Sequence, residues 1–137
     1  KTKEFNCIVI DDWQYILANE FMCRAHEKGF EKFSEIAQHA WLTIKALREA
    51  REDLVCFVLA HSEIDAFGRA KCKTIGKMLY EKNSIEGLFT TVLHSQANDG
   101  EYSFRTQTNG TLLAKSPMGM FEEEEDYTQG GKNDGHR

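Results

Sequence analysis

Asp11 and Asp12 stand side by side at the end of an apolar, partly β-branched run, Phe5–Ile10, in the stretch CIVIDDWQYIL. Two adjacent carboxylates repel each other unless a cation or a hydrogen-bond donor is close. Mg²⁺ with a phosphate meets that need, since this ion keeps most of its waters and takes few protein carboxylates. The plainer alternative is that Asp11 caps the following helix while Asp12 faces water. A second apolar run, Leu54–Ala60, ends in His61. Other chemistries find less support. Cys23 and His26 have a ligand-like spacing, but no second pair joins them to complete a zinc site. No serine sits on a nucleophile-elbow pattern. Cys7, Cys23, Cys56 and Cys72 lie far apart with no CxxC pair, which favours a reduced, intracellular protein.

Phe5–Ile10 and Leu54–Ala60 read as buried strands, each a short apolar run that stops at a polar residue. Trp13 to about His26 reads as a helix, with Trp13, Ile16, Leu17, Phe21 and Met22 at helical spacing. Gly29 breaks it. Ser34 is the expected N-cap of a long helix to about Arg51, with Ile36, Ala40, Ile44 and Leu47 on its apolar face. Two such strands joined through helices predict a parallel sheet covered on both faces. Ligands bind such sheets beyond the C-terminal ends of the strands, where Asp11, Asp12 and His61 would lie.

After His61 the pattern changes. HSEIDAFGRAKCKTIGK is polar, basic and glycine-containing, and is expected to begin as a loop, with a short helix over about Ile75–Lys82. GLFTTVLHSQ and YSFRTQT are β-rich runs around ANDGE, a hairpin signal. Asn109-Gly110 is a second tight-turn signal before a short strand, TLLAK. Pro117 ends this region. The domain reading is a core over 1–121 and an acidic tail over 122–137 expected to be disordered. That tail holds six acids and two bases, so −4 of the net −5 lies in it and the remainder is close to neutral. Overall charge therefore argues neither for nor against a nucleic-acid partner. No apolar run approaches the ~18 residues of a membrane span, and no signal peptide is visible.

Two known arrangements begin with a hydrophobic strand running into paired acids. A receiver domain of two-component signalling also needs a phosphorylatable Asp at the end of a later strand. Here that strand ends in His61, which makes this the third choice. A Walker B strand of a P-loop NTPase instead pairs with a later strand ending in a polar residue that senses the γ-phosphate, and His61 suits that role. The ordered series IVIDD, FVLAHSE, KTIGKML, IEGLFTTVL, YSFRTQTNG and AKSPMGMF, over about Phe5–Phe121, resembles the C-terminal half of phage-encoded RecA-like ATPases of recombination modules.

That resemblance implies an α/β fold: a P-loop NTPase core of RecA type, with a mostly parallel sheet continuing into antiparallel strands. It implies ATP and Mg²⁺ as cofactors. It also implies work on single-stranded DNA in recombination or annealing, a homo-oligomeric ring or filament, no membrane, and a host-cell cytoplasmic location. Asp11 matches the Walker B acid that holds Mg²⁺ through water. Asp12 would orient that water shell or polarise the attacking water, and His61 matches the sensor. These two are the implied catalytic residues. Lys115 matches a late basic residue near the nucleotide, either in the same subunit or reaching a neighbour's. Arg69, Lys71, Lys73 and Lys77 match a loop that reaches DNA, where phosphate contacts need only such cations. A solvated loop is the alternative. Phe67 would stack on a base or anchor the loop in the core. Trp13 and Trp41 suit helix packing better than a ligand platform.

One departure matters. The phosphate-cradling pattern G-x-x-x-x-G-K-[ST] is absent, and GRAKCKTIGK lacks its spacing. In the family that loop lies upstream of the Walker B strand. The chain begins KTKEF without Met, so the expectation is a protein lacking its N-terminal portion, which alone binds ATP poorly. A non-catalytic, nucleotide-dependent DNA-binding or assembly module is the alternative of a different class.

Overall fold

The computed structural model describes residues 5–75 and 84–126. In chain order the elements are β1 (Cys7–Ile10), α1 (Trp13–Cys23), α2 (Glu31–Arg48), β2 (Val55–Val58), β3 (Ser62–Ile64), β4 (Ala70–Cys72), a 3-10 helix (Ile85–Leu88), β5 (His94–Asn98), β6 (Glu101–Arg105) and β7 (Glu124–Asp126). Past Ile75, the short helix expected to Lys82 lies outside the described residues, and so do Lys77 and the tail beyond Asp126. The chain divides into two compact units, Lys1–Glu63 with Cys72–Leu88, and Ile64–Lys71 with Phe89–Arg137.

In the first unit β1 and β2 pair in parallel, from Cys7 opposite Val55 to Ile10 opposite Val58. Parallel neighbours cannot be joined by a tight turn, and α1 and α2 supply the crossover. Trp13 and Leu17 of α1 are buried with Ile36, Ala37, Ala40 and Ile44 of α2 and with Ile85. The α2 positions recur at three- and four-residue steps, the stripe by which an amphipathic helix packs. Fully burying each large side chain of this set contributes about 1.5–3 kcal/mol.

The strands depart from the expected two-sided cover. Ile8, Ile10, Cys56 and Val58 are half-buried, whereas Val9, Val55 and Phe57 are more than half exposed. The Cys56 thiol lies 4.0 Å from the Leu47 carbonyl at the end of α2, which identifies the sheltered face. The same apolar run thus reads as fully buried in sequence while only alternate residues are covered, because the crossover shields one side.

Ser34 does not cap α2, which starts earlier, behind Phe30. Gly29, at φ +97°, turns the chain, a conformation that costs glycine little. Phe33 then stacks on Phe21 with ring centroids 5.6 Å apart. Lys32 donates to the Glu27 carbonyl at 2.9 Å and the Arg24 carbonyl at 3.3 Å, beyond the end of α1. The Arg24 guanidinium gathers Glu20, Glu27 and Glu35. These contacts draw the helix start three residues ahead of the expected cap.

The second unit holds an antiparallel sheet in the order β5-β6-β7. Asp99 and Gly100, at φ +50° and +86°, form the two-residue turn between β5 and β6, the positive-φ pair that suits a twisted hairpin. The β-rich run before it is only partly strand: Ile85–Leu88 is 3-10 helix and β5 begins at His94. TLLAK makes isolated bridges, Leu112 to Ala70 and Lys115 to Val92, instead of a strand. Glu124–Asp126, expected to be disordered, forms β7 against β6. Ser103 donates to the Glu124 carboxylate at 2.5 Å and Arg105 lies 3.5 Å from it. An acidic edge strand gains backbone pairing and discourages further strands from adding. Among the described residues the strands form three small sheets, β3–β4 being the third, where one continuous sheet was expected.

Candidate functional site

The ladder between β1 and β2 continues past its last strand pair. Leu59 N–H donates to the Ile10 carbonyl at 2.9 Å, and Trp13 N–H donates to the Leu59 carbonyl at 2.9 Å. Asp11 and Asp12 lie between these rungs, joined by a cis peptide bond. The two carboxylates are therefore held at the C-terminal ends of two parallel strands by main-chain bonds on both sides.

Asp12 is the N-cap residue of α1 by backbone position, yet its side chain makes no capping hydrogen bond. An Asp there ordinarily accepts from the N–H groups of the first turn. Here the carboxylate turns to His61 Nε2, at 3.0 Å. Asp12 is 22% exposed and His61 68% exposed, so the pair borders solvent. Asp11 is exposed, with no side-chain hydrogen bond or ion pair among the described residues. Neither part of the capping alternative holds: Asp11 is not the cap, and Asp12 is engaged.

Gln14 carries no motif and escaped the sequence reading. Its Oε1 accepts the His61 main-chain N–H at 3.0 Å. Its only sequence signal is a polar residue in the first turn after the acids. Trp13 is fully buried, as expected of helix packing. Trp41 lines an open groove of ≈ 450 Å³ along α2 with Ile44, Lys45, Arg48, Glu49 and Leu88, away from the carboxylates in sequence and element.

Among the described residues no three His, Cys, Asp or Glu side chains are grouped to hold a metal directly. One unengaged carboxylate beside a second, oriented one does suit Mg²⁺, which binds through one or two carboxylates, waters and substrate phosphates.

The basic residues divide in a way their spacing does not reveal. Asp65, its side chain 3% exposed, lies 2.9 Å from Arg69 Nε and 3.6 Å from Lys71 Nζ. Its Oδ1 also accepts the N–H groups of Phe67 at 2.8 Å and Arg69 at 2.9 Å. The Arg69 N–H foremost, against a cost of desolvation, holds the Asp65 carboxyl below its ordinary value. Arg69 and Lys71 are thus ion-paired, Lys73 is exposed, and Lys77 lies outside the described residues. The segment expected to begin as a loop is the β3–β4 ribbon, closed by Asp65 and by Gly68 at φ +75°. Phe67 is 81% exposed under the Arg69 guanidinium, 5.2 Å from its ring centre, and so does not anchor the loop in the core.

Lys115 belongs to the second unit, its backbone exchanging hydrogen bonds of 2.8 and 3.0 Å with Val92. The cysteines are free. Burial, aided by Glu86 and Glu63, pushes the Cys72 thiol up to about 12. No helix among the described residues is long and apolar enough to cross a membrane. No protein-family model, curated protein or solved structure matches the chain.

Proposed function

We propose that this chain carries the metal-and-sensor half of a RecA-like P-loop ATPase that acts on single-stranded DNA in phage recombination or annealing, as a ring or filament. The observation that supports it is the division of labour at the ends of β1 and β2. Asp12 is oriented by His61 from the neighbouring strand, and Asp11 is left unengaged. In this reading Asp11 holds the hydration shell of Mg²⁺. Asp12, oriented by the imidazole, accepts a proton from or orients the attacking water. His61 registers the γ-phosphate. Bound Mg²⁺ would neutralise charge on the transferred phosphoryl group. The basic residues after His61 would contact DNA.

The test is Mg²⁺-dependent ATP hydrolysis by a polypeptide in which this chain follows the phosphate-binding region the resemblance requires. Asp11→Asn and Asp12→Asn are compared with the unsubstituted protein. Strong loss in both, with nucleotide affinity largely kept, is the expected result. Hydrolysis unchanged in Asp11→Asn would remove the metal role.

A further inference from the structure

We infer that Gln14 is a positioning residue that sets the His61 imidazole against Asp12; its relevance to hydrolysis rests on the reading above. In β1 and β2 each rung joins main chain to main chain, through Leu59 N–H to the Ile10 carbonyl and Trp13 N–H to the Leu59 carbonyl. After Asp12 the first chain has become α1, and its carbonyls point along the helix. The next donor on the second chain, His61 N–H, has no strand partner left. The Gln14 side-chain oxygen supplies the missing acceptor at 3.0 Å. One residue thereby extends the ladder by a rung, onto the residue whose imidazole meets Asp12 at 3.0 Å.

His61 is fixed at a second main-chain point, where its carbonyl accepts Lys73 N–H at 2.8 Å. With both its N–H and its carbonyl bonded, the His61 backbone is held while its ring stays 68% exposed. A held backbone limits where the ring can reach, and the Asp12 carboxylate, on the N-cap residue of α1, lies within that reach. The length of Gln14 matters. It leaves the helix in the first turn and must span to a neighbouring strand end. Asparagine, shorter by one methylene, withdraws the oxygen, and methionine keeps the length without an acceptor. Glutamate keeps both length and acceptor. The Gln14 Nε2 is buried and makes no hydrogen bond among the described residues, so exchanging it for oxygen sacrifices no partner, although it adds a buried negative charge next to Asp11 and Asp12.

The experiment is nuclear magnetic resonance of this 137-residue chain with Gln14→Met, Gln14→Asn and Gln14→Glu. Hydrogen exchange at the His61 amide and the imidazole nitrogen signals are read, with the Leu59 and Val55 amides as controls for the fold. The expected result is exchange at His61 about tenfold faster in Gln14→Met and Gln14→Asn. The Asp12-bonded imidazole signal is lost in both variants, and Gln14→Glu restores both readouts. If Gln14→Met fails to fold, Gln14→Asn decides. An unchanged imidazole signal in the folded Met or Asn variant would overturn the role. Mn²⁺ with ATP, added to the protein with its phosphate-binding region, separates this from the metal reading. Without selective broadening at Asp11 and Asp12 that reading fails, and the His61 signals still decide the role of Gln14.

Discussion

Two aspartate sites in this molecule use the same side chain in opposite ways. At the ends of β1 and β2, Asp12 is engaged by one imidazole and Asp11 by no described residue. In the β3–β4 ribbon, Asp65 is buried and carries two main-chain N–H groups, a guanidinium and an ammonium. A carboxylate whose lone pairs are filled by its own chain has little capacity for a ligand. It shapes backbone instead, by the same local side-chain-to-main-chain bonding that builds Asx turns. An exposed pair of acids with only one internal partner keeps that capacity. Saturation of the lone pairs, more than residue type or proximity of positive charge, separates an acid committed to the framework from one left able to take a ligand.

Removing one charge from each site tests this difference most directly. Asp11→Asn, in the protein with its phosphate-binding region, is expected to lower Mg²⁺-dependent turnover about 100-fold, equivalent to about 2.7 kcal/mol of transition-state stabilisation. Exchange of the Phe67 and Arg69 amides should not change. Asp65→Ala should give the reverse. Exchange at those two amides should quicken about tenfold as their acceptor disappears, with Mg²⁺-dependent turnover at Asp11 retained. A fall in turnover as large as that of Asp11→Asn would join the two sites and defeat the distinction.

Acid adds a second measure of the ribbon. The folded-state carboxyl of Asp65 is held below its ordinary value of 3.8. A depressed carboxyl contributes stability that is present above the unfolded value and lost as pH falls through the lower, folded one. Amide protection at Phe67 and Arg69 should therefore persist through pH 3.8 and fail only in stronger acid, as followed by exchange across an acid series. Loss of protection beginning above that value would mean that Asp65 is not the acid that closes the turn.

Much of the first site was legible because it rests on patterns with a physical period. Apolar runs ending in Asp11 and His61 marked two strands with polar tips, and the helical spacing between them required a crossover and hence parallel pairing. The engagement of Asp12 was hidden, since an acid ahead of a helix reads equally well as a cap. Gln14 was hidden for a related reason. Its role depends on where the ladder runs out of main-chain acceptors, which is a property of two strands in register and not of either alone. The ribbon was illegible as structure because HSEIDAFGRAKCK lacks the alternation of a half-buried strand. A single buried carboxylate organises it instead of an apolar face. The early start of α2 followed from aromatic contacts around Phe33, which outweighed the capping preference of Ser34.

The smallest effect sharpens the comparison most finely, because it separates cations that look alike in sequence. Lys71 reaches the Asp65 carboxylate at 3.6 Å, whereas Lys73 is exposed, with its main chain bonded to His61. A cation already paired with a buried acid must share its charge, and it displaces less of a nucleic acid's counterion atmosphere than one facing water. Each phosphate contact to a single strand contributes about 0.7 to the slope of log affinity against log salt. Lys73→Ala should lower that slope by about 0.7, which is about fivefold in affinity across a tenfold salt range. Lys71→Ala should lower it by clearly less. The measurement is binding of a fluorescent single-stranded oligonucleotide by the protein with its phosphate-binding region, over a salt titration. Equal slopes for the unsubstituted protein and Lys73→Ala would deny this lysine a phosphate contact. Equal losses for Lys71→Ala and Lys73→Ala would show that Asp65 releases its cations to DNA, and that saturation of a carboxylate does not remove its partners from binding.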